Sequence, residues 1–191
     1  VSNATVVDIS HDIAPFNVPE AAYILNNAYR NFPQGTIHIV GIDTAELHRN
    51  AILIAKINNH YFIASDNGVL SLLKGDIDEV VAVKGGLINT SFPTLDILVD
   101  LAKQLLETSH VSSLGEQVNS ITELSSLNAT VNDDKSQITG NIIYIDNYGN
   151  VVTNISRKIF ESVGKGRKFK ISARSVSFSK IHESYSHAIN F

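Results

Sequence analysis

The 191-residue sequence contains no cysteine, no methionine, no tryptophan and only 4 prolines. Without cysteine there can be no disulfide, no thiolate metal site and no cysteine nucleophile. No apolar run approaches the roughly 18 residues that a membrane-crossing helix needs, so no membrane partner is expected. Positive charge is not in excess either: 15 Lys+Arg stand against 19 Asp+Glu, a formal net charge of −4. That leaves no basic face, and nucleic acid is not an expected partner. What is present is 43% hydrophobic and 18% charged residues, which excludes a disordered or coiled-coil chain. The length suits one domain or two small ones with a core of their own. A cytoplasmic location is the expectation. The chain opens at Val1 and stops at Phe191 in mid-pattern, so it is also expected to be a fragment of a longer protein.

The β-branched run Thr5–Ile9 predicts a buried strand. Asn17-Val-Pro-Glu20 has the layout of a capping box opening a helix, with Ala21, Leu25, Ala28, Tyr29 and Phe32 on one stripe. Thr36–Ile42 predicts a second buried strand, and strand, helix, strand at this spacing predicts a parallel βαβ unit. Residues 51–57 and 60–64, separated by Asn58-Asn59, predict a hairpin with a tight turn. Val80–Val83 predicts a further strand, and Thr94 the N-cap of a helix to about Glu107. The Ser-, Thr- and Asn-rich stretch 108–136 reads as a connection. Short strands between 141 and 178 then predict an antiparallel β region. The expected architecture is an α/β domain over 1–113 with a mostly parallel sheet, a linker over 114–136, and a smaller antiparallel β-barrel-like domain over 137–191.

Ligands bind outside the carboxyl ends of strands in open parallel sheets. With the first two predicted strands parallel, one trailing loop carries Ser10, His11, Asp12 and Phe16, and the other Asp43, Glu46, His48 and Arg49. An arginine within about 4–6 Å would hold Asp43 ionised, able to orient a water. The same pair could equally be a surface ion pair closing a loop. His11 is better read as a structural histidine than as part of a triad, since adjacent side chains seldom aim at one point and no nucleophile elbow is present. Phe16 suits a hydrophobic staple or, alternatively, a wall for a flat ring. In Asp146-Asn-Tyr-Gly-Asn150, a hairpin turn explains the glycine and one asparagine. The crowding of Asp, Tyr and two Asn suits hydrogen bonding and stacking with a heteroaromatic base.

Four stretches together resemble the S-adenosyl-L-methionine hydroxide adenosyltransferases, relatives of the bacterial fluorinase and chlorinase. They are Val7-Asp-Ile-Ser-His-Asp-Ile13 with Pro15-Phe16, Phe32-Pro-x-Gly-Thr-Ile-His38, Tyr61-Phe-Ile-Ala-x-Asp-Asn-Gly68, and Asp146-x-Tyr-Gly-Asn-x-x-Thr-Asn-Ile155. The resemblance implies hydrolysis of S-adenosyl-L-methionine by attack at ribose C5′, giving adenosine and L-methionine, with no cofactor and no metal. It implies a homotrimer with each site between the N-terminal domain of one subunit and the C-terminal barrel of the next. It matches Asp43 and Arg49 to the residues that hold and support the attacking water. Phe16 falls against the nucleoside, Tyr148 and Asn150 at the adenine, and Asp146 near the methionine end. A ribose-clamping segment would precede Val1, and a methionine-gripping one would follow Phe191. The run Phe92-Pro-Thr-Leu-Asp96 departs from the family pattern by carrying Pro93 where the hydroxide enzymes have a histidine; either His48 takes that part or none is needed. A non-catalytic module binding S-adenosyl-L-methionine or adenosine, or a halide-using transferase, are the alternative readings.

Overall fold

Asn17 starts the first helix, α1 (Val18–Ala28), as its neighbours predict. Its Oδ1 accepts from the Glu20 amide at 3.2 Å, and Glu20 Oε2 accepts from Asn17 Nδ2 at 2.8 Å and from the Ala14 amide at 3.2 Å. Glu20 therefore reaches past the Asn17 backbone to Ala14, which fixes the chain entering the helix. Val18, Ala21, Ala22 and Leu25 form the buried face, and a short 3₁₀ turn, Tyr29–Asn31, extends it to the buried Tyr29.

The structure is a computed structural model that describes residues 4–44, 51–83, 90–125, 128–184 and 187. It divides into two compact units, Val1–Ser126 and Leu127–Phe191. In the first unit the strands are β1 (Ile37–Val40), β2 (Ile52–Ile57), β3 (His60–Ser65), β4 (Ile77–Val83) and β5 (Glu116–Gln117), ordered β1-β3-β2-β4-β5 in one sheet. Among the described residues only β1 and β3 are parallel; the pairs β3/β2, β2/β4 and β4/β5 are antiparallel. The expectation of a mostly parallel sheet is therefore corrected to a mixed sheet. The cause is local: Asn58 and Asn59 hold φ of 50° and 61°, the left-handed pair that a two-residue hairpin turn requires, and this reverses β3 against β2.

The predicted strand Thr5–Ile9 does not form. Residues 4–10 carry no strand pairing, and Val6 is 92% exposed. β-branched composition reports fitness for a pleated, half-buried surface, and among the described residues this run has neither a paired strand nor a covering layer. The βαβ unit expected from it is corrected with it, and the parallel partner of β1 is β3 instead.

One face of the sheet packs α1 against Val40, Leu53, Ala55, Ile57, Phe62 and Ala64. The opposite face packs Ile52, Ile54, Ile63 and Val81 against Leu98, Leu101, Ala102 and Leu105 of the second helical segment. That segment opens as a π-helical turn, Thr94–Leu98, and continues as α2 (Val99–Thr108). Thr94 is thus inside the helical segment rather than its cap, because Pro93 already has helical φ and ψ.

Among its described residues the second unit contains three two-stranded antiparallel sheets: β6 (Thr130–Val131) with β7 (Ile138–Thr139), β8 (Ile142–Ile145) with β9 (Val151–Thr153), and β10 (Ile171–Ala173) with β11 (Val176–Phe178). The helix α3 (Arg157–Gly164) is capped by Ser156, whose Oγ accepts from the Ile159 amide at 3.3 Å. The expectation of a barrel is corrected: a barrel needs every strand bonded on both sides, and these ladders stop after one partner. Phe160 meets Phe169 edge-on at 5.0 Å, while Ile142, Ile145, Val151 and Val176 stay exposed.

Candidate active site

β1 and β3 end side by side, with Val40 opposite Ala64, so the residues that follow them share the carboxyl edge of the one parallel pair. Asp43 follows β1 with φ of 52°, a left-handed conformation that aspartate adopts more readily than most residues other than glycine. Its Oδ1 is buried and has no hydrogen-bond partner. Next to it, Thr44 Oγ1 lies 3.3 Å from Thr94 Oγ1, which ties this loop to the π-helical turn. Gly41 allows that approach, since a Cβ there would meet Thr94 Cγ2 at 3.0 Å. From the β3 side, Asn67 Nδ2 donates to the Ile42 carbonyl at 3.0 Å and clips the two loops together. Asp66 Oδ1 accepts from the Thr122 amide at 2.8 Å, bracing the same turn from behind. Glu46, His48 and Arg49 lie outside the described residues.

Ser65, Asn67 and Thr94 were missed as candidates by sequence reasoning. Ser65-Asp-Asn-Gly68 reads locally as a plain turn, and it is a turn, with Asn67 Oδ1 accepting from the Val69 amide at 3.1 Å. The available signal was the hairpin: a reversal at Asn58-Asn59 makes β3 run alongside β1 and delivers this turn to the end where Asp43 sits.

The other loop expected at this edge behaves differently. His11 Nδ1 is 2.7 Å from Asp8 Oδ2, an exposed pair spanning one turn of chain, and Ser10 Oγ accepts from the Asp12 amide at 3.2 Å. His11 is hydrogen-bonded locally, though to a side chain rather than to backbone. Phe16 has φ of 62° and is 70% exposed, so it is neither a core residue nor a staple. The Asn17 amide donates to the Ala14 carbonyl at 3.0 Å, placing Pro15 and Phe16 at the middle of a turn whose third position takes positive φ and favours glycine. An aromatic held there is strained, and such outliers are a fair starting point for a functional hypothesis.

In the second unit, Asp146 organises the loop that follows β8. Its Oδ1 accepts from the amides of Tyr148 at 2.9 Å and Asn150 at 2.8 Å, and its Oδ2 accepts from Asn150 Nδ2 at 2.7 Å. The Asn150 side chain, followed by the backbone amides, holds the Asp146 carboxyl below the usual range. Gly149 closes the turn at φ of 82°, and the Tyr148 ring projects into solvent, 92% exposed. An open recess of about 430 Å³ in this unit is lined by Gly166, Arg167, Lys168, Phe169 and Ser179, none of them a candidate residue. Among the described residues no group of three or more His, Asp or Glu is arranged to hold a metal ion, and no helix is long and apolar enough to cross a membrane.

Comparison with known proteins shows the family. Residues 1–115 match the SAM hydroxide adenosyltransferase N-terminal domain and residues 140–190 the corresponding C-terminal domain. An (R)-S-adenosyl-L-methionine hydrolase from Methanocaldococcus jannaschii is 28% identical over 160 residues, covering 81% of this chain. The chain spans 56% of the length of that relative. An uncharacterised conserved protein from Thermotoga maritima shares the fold with a TM-score of 0.79 at 24% identity, over 93% of this chain and 71% of its own. A conserved hypothetical protein from Thermus thermophilus does so with a TM-score of 0.62 at 20% identity, over 81% and 61%.

Proposed function

We propose, on the premise that this chain belongs to the SAM hydroxide adenosyltransferase family, that it hydrolyses S-adenosyl-L-methionine to adenosine and L-methionine. Water attacks ribose C5′ in line with the C5′–S bond. The C–O bond forms as the C–S bond breaks, and the electron pair remains on sulfur, turning the sulfonium into the neutral thioether of methionine. The water proton leaves through the Asp43 carboxylate to solvent. Because a sulfonium is already a good leaving group, the protein's task is to aim and desolvate a small nucleophile.

The observation that carries this reading is the buried Asp43 Oδ1 without a partner at the carboxyl edge of β1 and β3. A carboxylate oxygen there can accept from a water and take its proton. Arg49 would favour the hydroxide form beside it. Phe16, held exposed and strained, offers a flat wall for the nucleoside. Tyr148 would stack on adenine, and Asn150, whose amide nitrogen is engaged by Asp146, would offer Oδ1 to the exocyclic amine. Asp146 would act at the methionine end through the loop it holds. In this reading the sites form between subunits of a homotrimer.

The experiment is incubation of the intact protein with both sulfonium epimers of S-adenosyl-L-methionine, since the archaeal relative is named for the (R) form. Adenosine and methionine in equal amounts, lost by at least about 100-fold in Asp43→Asn with melting temperature retained, is the expected result. Ligand-dependent stabilisation with no adenosine would overturn it in favour of a non-catalytic binding module, the reading that Pro93 in place of a family histidine favours. Light scattering of the same sample tests the trimer.

A further inference from the structure

Only two buried side-chain atoms among the described residues have no hydrogen-bond partner, Asp43 Oδ1 and Ser65 Oγ. They belong to the same end of the same strand pair. Ser65 is the last residue of β3, one beyond the Val40–Ala64 pairing, and Asp43 lies three residues beyond the end of β1. The loops that carry them are clipped together by the Asn67 Nδ2 to Ile42 carbonyl bond. Side chains alternate along a strand, so Ser65 shares a face with Tyr61 and Ile63, the face covered by the segment that begins with the π-helical turn. Thr94, at the head of that turn, closes over Gly41 and meets Thr44. π-helical turns recur at functional sites, and buried hydroxyls are normally satisfied.

Ser65 is 1% exposed, so bulk water does not satisfy its hydroxyl. Leaving such a group without a partner is costly, and two such costs at one strand edge need a common cause. We infer that Ser65 Oγ and Asp43 Oδ1 form the polar floor of one subsite for a neutral, water-sized molecule. Asp43 accepts from one O–H of that molecule, and the Ser65 hydroxyl donates to its oxygen, fixing the direction of the remaining lone pair. A carboxylate in the same floor disfavours an anion. Resting on the function proposed above, the occupant is the attacking water, and Ser65 is the residue that aims it.

The test is Ser65→Ala in the intact protein, with Ser65→Thr as the variant that keeps the hydroxyl. Loss of one neutral hydrogen bond made in the transition state lowers kcat about tenfold in Ser65→Ala. KM for S-adenosyl-L-methionine should not change, Ser65→Thr should recover most of kcat, and the melting temperature should hold, because the hydroxyl's partner is the bound water and not another part of the chain. Wild-type kcat in Ser65→Ala, or a lower melting temperature with unchanged kcat, would make Ser65 structural and overturn the inference while the hydrolase reading stands. Absence of adenosine from the unaltered protein would overturn both.

Discussion

Acid should weaken the first unit well before carboxylates titrate, and the cause is a pair of buried histidines at the opposite end of the strands from Asp43. His38 on β1 is 4% exposed; its Nε2 lies 3.3 Å from His60 Nδ1, and its ring stacks on Phe62 at 4.9 Å with the edges of Tyr29 and Phe32 closing around it. Burial, and secondly the neighbouring His60, push its pKa down to about 4. A histidine with a depressed folded-state pKa favours the neutral native form, so its stabilising effect is complete above the unfolded value of about 6.5 and is lost as pH falls towards 4. Linkage between those two values removes about 2 kcal/mol by pH 5 and about 3 kcal/mol by pH 4. His60, lowered by burial, acts in the same direction. These losses are a large share of the total stability of a small domain. Urea unfolding followed by circular dichroism at pH 7.5, 6, 5 and 4 measures the loss directly. His38→Phe keeps the stack but removes the proton site. It should cost about 1 kcal/mol at pH 7.5 by taking the partner from His60, and flatten the profile below pH 6.5. A wild-type stability that is level from pH 7.5 to 5, or a His38→Phe profile as steep as wild type, would refute the argument.

Two further measurements probe one loop of each unit. Gly68 and Gly149 both hold positive φ, 91° and 82°, but a Cβ at Gly68 would sit 2.4 Å from Leu124 Cγ, whereas at Gly149 it would meet nothing within 4 Å. Gly149→Ala should therefore cost about 1 kcal/mol from backbone strain alone, and Gly68→Ala about 2 kcal/mol or more, compared by their urea midpoints. Because the Asn150 side chain and the loop amides hold Asp146 below the ordinary aspartate range, the turn keeps this support above that range and loses it only as pH falls through the lowered value. The amide resonances of Tyr148, Gly149 and Asn150 should move together, with a midpoint below that of an ordinary aspartate.

The elements that could be read from sequence are those whose cause is local. Asn17 and Glu20 specify the start of α1 by bonds within a few residues, and Asn58-Asn59 specify the hairpin by their tolerance of left-handed φ. The run Thr5–Ile9 is rich in β-branched residues, as β2 is, yet composition cannot supply a neighbour, and strand pairing is a non-local event. The β region after 137 shows the same limit: strand signals were present for β8 to β11, but the number of partners per strand decides whether a sheet closes, and no local pattern encodes that.

The position of Asp43 at the carboxyl end of a parallel strand is legible in the sequence for a reason that survives the correction of that strand's expected neighbour. The rule that ligands gather at carboxyl ends applies to any adjacent parallel strands, and β1 finds its parallel neighbour through β2 rather than through an N-terminal strand. The Asn58-Asn59 reversal thus does more than build a hairpin: it decides which turn shares the strand edge with Asp43. A β3 strand shifted by one residue against β1 would turn Ser65 onto the α1 face and draw Asn67 away from the Ile42 carbonyl. The register Val40–Ala64 is held by the apolar alternation of Phe62 and Ala64 towards one layer and Ile63 towards the other, so the packing of the core sets the position of the polar edge.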